Sequence, residues 1–262
     1  MNDTKLSMDI KIVMLSGHAV SSRLMYNGLS DEIEIMKVIR EQAIPMKKIM
    51  KNRAHKLGWF NVGGQIAFGL LLLPIIRTFS KHRKKEVMRE LQLNDEKIPE
   101  EKLIDVSSVN SQECIHILKQ INPDVVIVNG CRIISHKVLS AVDSVFINTH
   151  EGITPRYRGI HGAYWALANG DKENCGVTVH LVDKGVDTGG ILYQSLIEPS
   201  KNDNFTTYPL HQTAAGIPLM KKAISDVATG NLKIIEPQLE SRIWYHPMLS
   251  QYLWNYFVKG VK

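Results

Sequence analysis

Cysteine is scarce in this chain. Cys114, Cys131 and Cys175 are isolated, odd in number and without a CxxC pair, which leaves no disulfide framework and no zinc spacing and fits reduced thiols in a cytoplasmic protein. His150, His161 and His180 also lack a recognised ligand spacing, so no metal is expected. No apolar leader opens the chain: residues 1–9 are polar, and the run 10–15 is too short for a signal h-region. Internal repeats and low-complexity tracts are absent, which excludes solenoids and biased linkers. Aromatic and basic residues are not interleaved, so a stacking platform for nucleic acid is not expected.

What is present is a globular composition. With 262 residues, 44% of them hydrophobic and 22% charged, the chain can bury one large core. Short apolar runs at 10–15, 125–128, 145–149, 176–182 and 191–197 read as strands, with weaker ones at 32–38 and 102–106. Helical patterns lie at 21–29, 111–120, 135–141 and 208–228; the second opens on a capping serine, Ser111, and sets Cys114, Ile117 and Leu118 on one face. Such alternation predicts an α/β fold, a Rossmann-like, mostly parallel sheet flanked by helices. The domain is expected over 1–235 with an insertion at about 40–90, followed by a short C-terminal extension, 236–262.

That insertion carries the chain's strongest local bias. Residues 57–76 hold no charge and are long enough to span a bilayer. Spanning would leave the first two strands on one side and the rest on the other, destroying the sheet, so a transmembrane helix is not expected. Between Lys37 and Arg89, thirteen Lys or Arg face Glu41 and Glu86, a local +11 in a chain of net charge +6, which leaves −5 elsewhere. Lys47, Lys48, Lys51, Arg53 and Lys56 precede the apolar run, and Lys81, Arg83, Lys84 and Lys85 follow it. Three partners suit this segment: its own domain, a second subunit in a homodimer, or an anionic membrane surface met peripherally through 47–85.

The chemistry concentrates at Asn148-Thr149-His150 and at Asp187 in Val-Asp-Thr-Gly-Gly. Side chains two apart on a strand share a face, so Asn148 and His150 converge at the end of the strand 145–149, where open α/β sheets bind ligands. An amide donor, an imidazole and a carboxylate together can stabilise an oxyanion and move a proton.

Asn129-Gly-Cys-Arg-Ile-Ile134, Ile147-Asn-Thr-His150, Pro155-Arg-Tyr-Arg-Gly159, Gly176-Val-Thr-Val-His180 and the run 182–190 follow in order. Together they resemble the folate-dependent formyltransferases: glycinamide ribonucleotide transformylase, the catalytic domain of methionyl-tRNA formyltransferase, and the sugar N-formyltransferases. The resemblance implies that Asn148, His150 and Asp187 are catalytic, with Asp187 orienting and charging the histidine. It implies 10-formyltetrahydrofolate as co-substrate, its pterin held by Cys131, Arg132, Ile133 and Ile134, chiefly through backbone groups, and by Val182, Asp183 and Val186. Gly17, His18, Tyr157, Arg158 and His161 are the expected acceptor-binding residues.

The acceptor is read by comparison within that family. Only residues 236–262 follow the domain, too few for the C-terminal barrel of the tRNA enzymes. Ser16-Gly17-His18-Ala19-Val20 lacks the second glycine of the ribonucleotide enzymes' phosphate turn, while Tyr157-Arg158-Gly159 matches the sugar and tRNA enzymes. The expected activity is therefore formyl transfer to a nucleotide-linked amino sugar in surface-polysaccharide synthesis. A glycinamide ribonucleotide transformylase is the alternative enzyme, favoured by the look of residues 161–171. A membrane-associated scaffold that keeps the fold without turnover is the non-enzyme alternative.

Overall fold

The structure, a computed structural model, describes residues 10–262, without the side chains of Lys47 and Lys48; the polar start at 1–9 lies outside them. β1 (Ile12–Ser16) leads through α1 (Val20–Ser30) to β2 (Lys37–Glu41). The insertion follows as α2 (Met46–Leu57), α3 (Trp59–Ala67), a π-helical turn at Phe68–Leu72, α4 (Leu73–Phe79) and α5 (Lys81–Glu90). β3 (Leu103–Val106), α6 (Gln112–Ile121), β4 (Val125–Asn129), α7 (His136–Leu139) and β5 (Val145–His150) resume the alternation. Next come a short β6 (Arg158–Gly159), α8 (Gly162–Ala168), the hairpin of β7 (Gly176–Leu181) and β8 (Ile191–Leu196), and the long α9 (Tyr208–Ala228). Last are β9 (Ile243–Trp244) and α10 (Leu249–Lys259).

Seven strands form one sheet in the order β3-β2-β1-β4-β5-β7-β8, the first five mutually parallel, β7 antiparallel to β5 and β8 antiparallel to β7. The two-residue period of the strands divides the core between its faces. Ile12, Met14, Val125, Ile127 and Ile147 pack with Met25, Met220 and Ile224 of α1 and α9. Val13, Leu15, Val126, Val128 and Phe146 pack with Leu118 and Val138 of α6 and α7. A one-residue slip in any central strand would exchange the two sets, so the pattern also fixes register. Between β7 and β8 the register shifts at Val179/His180, with Leu192 the extra residue on β8.

Two expected elements differ. The strand expected at 32–38 lies at Lys37–Glu41: Ile33 and Ile35 are buried, but pairing with β1 starts only at Lys37. The helix expected at 135–141 is a single turn, Ser140 capping it.

The insertion lies along the domain on one face. Phe68 is buried with its ring 5.2 Å from Phe205 and 4.9 Å from Tyr252 of α10. Val87 of α5 is buried against Leu24 and Leu210. Arg83 forks onto the buried Asp203, with Nε–Oδ1 at 3.0 Å and Nη2–Oδ2 at 3.3 Å. The opposite face of the apolar helix stays open, with 11% of its apolar stretch buried. At the C-terminal end of the described chain, β9 pairs in parallel with β6, and Tyr252 stacks 5.7 Å from Tyr164.

Candidate active site

The alternation that sorts the core also builds the site. Phe146 faces α6 and α7, so Asn148 and His150 continue that face beyond the apolar rows. Thr149 points the other way, its methyl beside Gly216 of α9. Antiparallel pairing sets His180 of β7 directly opposite Asn148. The His180 ring lies with Nδ1 2.7 Å from the Leu181 carbonyl, which can only accept, so Nδ1 carries the proton. Nε2 is then the acceptor for the Asn148 amide N–H at 3.1 Å. Burial lowers the His180 pKa and keeps that ring neutral, the Leu181 carbonyl opposing the shift and His150 adding to it.

His150 stands between two acceptors. Its Nε2 donates to the Tyr157 carbonyl at 2.7 Å, and its Nδ1 faces Asp187 Oδ2 at 3.3 Å. Asp187 Oδ2 also accepts the Gly159 N–H at 3.0 Å, and Oδ1 lies 3.8 Å from His180 Nε2. Asp187 holds φ 51°, a left-handed conformation that aspartate tolerates better than most residues. Arg158 Nη1 donates to the Val186 carbonyl at 3.2 Å and straps the same loop. Beneath these contacts sits Gly152, where a Cβ would run into the Tyr157 carbonyl and come within 2.9 Å of His150 Nε2. Next to His150, burial pushes the Glu151 carboxyl up to about 7.

Beside Asn148 and His180 a slot of about 100 Å³ opens. Cys131, Arg132, Ile133, Ile134, Val182, Asp183 and Val186, all expected at the cofactor site, line it together with Asp187. Its volume is well below the ~300–1,000 Å³ of whole small-molecule sites, so it fits one flat end of a ligand. Some expected backbone contacts are already taken. The Arg132 N–H donates to Glu41 Oε1 at 2.7 Å, and the Ile133 carbonyl accepts from Asn110 at 2.9 Å. Ile134 belongs to the core, whereas Ile133 stands 58% exposed.

The expected acceptor-binding residues do not converge. Gly17 and His18 line a separate pocket of about 240 Å³ with Arg23, Arg40 and Lys97. A Cβ at Gly17 would run into the Gly130 carbonyl, which brings this turn against the start of the slot. Tyr157 corrects the expectation: its side chain is buried, donating to Asp171 Oδ2 at 2.8 Å and stacking on Trp244, so only its carbonyl reaches the site. His161 is a second correction. It sits against Phe205 with Nε2 2.9 Å from His246 Nδ1, and burial, then His246 and Arg53, hold its pKa well below the ordinary value.

The family profile described as "Formyl transferase" matches residues 74–216, more than half of the chain. The chain belongs to the formyl transferase family. It is 32% identical over 145 residues to methionyl-tRNA formyltransferase of Caldanaerobacter subterraneus subsp. tengcongensis, a match covering 54% of this chain and 46% of that protein. The chain thus spans about half the length of the curated relatives it matches. Among solved structures, a sugar N-formyltransferase from Shewanella sp. aligns with TM-score 0.54 at 14% identity, covering 89% of this chain and 76% of that one. Glycinamide ribonucleotide transformylase 1 from Symbiobacterium toebii aligns with TM-score 0.56 at 19% identity, covering 93% and 96%. These likenesses show a shared formyl transferase fold.

The matched span contains Asn148, His150, His180, Asp187 and every slot residue, while Gly17 and His18 fall outside it. Within this family member, sequence reasoning missed His180 as the partner of Asn148, the Tyr157 carbonyl as the partner of His150, and Glu41 and Glu151. His180 carried only part of a signal, an imidazole at the end of an expected strand, because its pairing with the Asn-x-His strand is long-range.

Proposed function

We propose that this chain is a folate-dependent N-formyltransferase that moves a formyl group from 10-formyltetrahydrofolate to a primary amine, with a nucleotide-linked amino sugar as acceptor. One observation carries the reading: Asn148 and Asp187 line a narrow slot, with His150 buried behind Asp187, in a formyl transferase family member. When bound, the folate supplies the formyl carbon. Asn148, with one amide N–H held by His180, keeps a second donor for the formyl oxygen as negative charge gathers there. One such donor is worth about 2.7–4 kcal/mol. Both His150 nitrogens are engaged, so we assign this ring an orienting role rather than a proton relay. Asp187 Oδ1 accepts no hydrogen bond among the described residues, and it receives the proton shed by the attacking amine.

The acceptor side rests on charge. Around Gly17, Arg23 and Lys97, with His18, suit a phosphate-bearing amine, while Arg40 is held by Asp105 and Glu100 shares the lining. The Tyr157 side chain is committed within the protein, whereas Arg158 spends one donor on the Val186 carbonyl and leaves its Nε without a partner among the described residues. The same pocket supports the second reading, glycinamide ribonucleotide as acceptor. Incubating the protein with 10-formyltetrahydrofolate and a panel of nucleotide amino sugars, amino acids and glycinamide ribonucleotide separates the two by release of tetrahydrofolate. Preference for a nucleotide amino sugar is expected; preference for the ribonucleotide moves the assignment, and release with no amine sinks it. Asp187→Asn keeps the Gly159 contact and should lower kcat by roughly 10²–10⁴.

A further inference from the structure

The apolar helix of the insertion and α10 leave one continuous outward face. From α3 to α4 it presents Trp59, Phe60, Leu70, Leu71, Ile75 and Phe79, with Phe60 85% and Phe79 84% exposed. α10, packed against α3 and the π turn, adds Leu253, Trp254, Tyr256 and Phe257. A groove of about 340 Å³ between Ile75, Phe79, Tyr252 and Tyr256 joins the two helices. Monomeric soluble proteins seldom leave so much contiguous apolar surface in water. Its two ends are cationic. Lys51 and Lys56 precede it, Arg77 lies in the last turn of α4, and Lys81, Lys85 and Arg89 form an exposed stripe at four-residue spacing along α5. None of these six forms a salt bridge among the described residues. The acids of this segment, Glu86 and Glu90, are both taken by Arg83.

We propose that this face docks in the plane of an anionic membrane surface. Aromatic and leucine side chains reach the headgroup boundary while lysines and arginines at both ends meet anionic lipid. The helix does not cross. Its inner stripe, Val62 and Phe68, is buried on the domain, and Arg83 and Val87 pin the next helix to that same domain. A second copy fits the charge less well, because both ends of the face are positive and any two-fold pairing sets like charges together.

The test is flotation of the full chain with phosphatidylglycerol-containing and with pure phosphatidylcholine vesicles, at low and high salt. Binding to the anionic vesicles that falls as salt rises is expected. Phe60→Ser with Leu71→Ser and Phe257→Ser, all exposed, should abolish binding without changing the far-ultraviolet circular dichroism. Lys81→Glu with Lys85→Glu should weaken it about tenfold or more. No binding to anionic vesicles at low salt overturns the proposal. So does a dimer at micromolar concentration that the serine variants dissociate. Equal binding to both vesicle types overturns its electrostatic half.

Discussion

The clasp between Arg83 and Asp203 is the main polar tie between the insertion and the domain, and its worth can be worked out. The Asp203 carboxylate is fully buried; it accepts from Arg83 Nε at 3.0 Å, from the Ser200 N–H at 2.8 Å, and lies 3.1 Å from His211. Burial pushes its pKa up, but Arg83 and Ser200 outweigh that and hold it at about 2, against an ordinary 3.8. A folded-state pKa below the unfolded one gives stability that is present above the unfolded value and lost as pH falls through the folded one. The difference is worth about 2 kcal/mol, gone by about pH 2. Arg83→Met keeps the aliphatic stem and strands the carboxylate, which should cost roughly 3–5 kcal/mol near neutrality. The deficit should shrink at lower pH, where a protonated Asp203 needs no cation. Asp203→Asn added to Arg83→Met should recover part of the loss, because the stranded charge is gone. Urea midpoints of the three variants across pH measure this. A deficit below about 1 kcal/mol near neutrality, or one independent of pH, would refute the reasoning.

Three further outcomes are expected. Asn148→Ala should lower kcat about 10²–10³-fold with KM for the folate nearly unchanged; a rise in KM alone would show that the amide only binds. Gly152→Ala should cost about 1–3 kcal/mol of stability and most of the activity, because its Cβ meets the Tyr157 carbonyl and His150; unchanged melting would show that the turn yields. Burial pushes Cys114, Cys131 and Cys175 up to about 12, so a thiolate-selective reagent near pH 8 should label the native protein far more slowly than the urea-unfolded chain. Equal rates would contradict their environment.

Much of the fold was legible because strand alternation and helix capping are local. Ser111 accepts from the Cys114 N–H as its position implied, and the rows Ile12-Met14 and Val13-Leu15 separate as the period requires. The shared face of Asn148 and His150 on β5 was legible for the same reason. His180 was not, because its place opposite Asn148 is set by pairing with a strand 32 residues away. Tyr157 was named through the Tyr157-Arg158-Gly159 match, and a motif does not show that the tyrosine hydroxyl is satisfied by Asp171, 14 positions further along the chain. In the insertion, inner and outer faces are both apolar, so periodicity could not say which of them the domain covers.

The shifted register at Val179/His180 has a use beyond shape. Leu192 lies on the β8 side, so an odd residue there is absorbed at the outer edge of the sheet. Across the inner seam, Asn148 still meets His180 and His150 meets Thr178. Length changes in β8 can therefore be taken up without moving an imidazole. For an engineer β8 is the place to lengthen or shorten the chain, because the turn before it carries Asp187 and slot residues, whereas a single residue added to β7 would put an aliphatic side chain opposite Asn148.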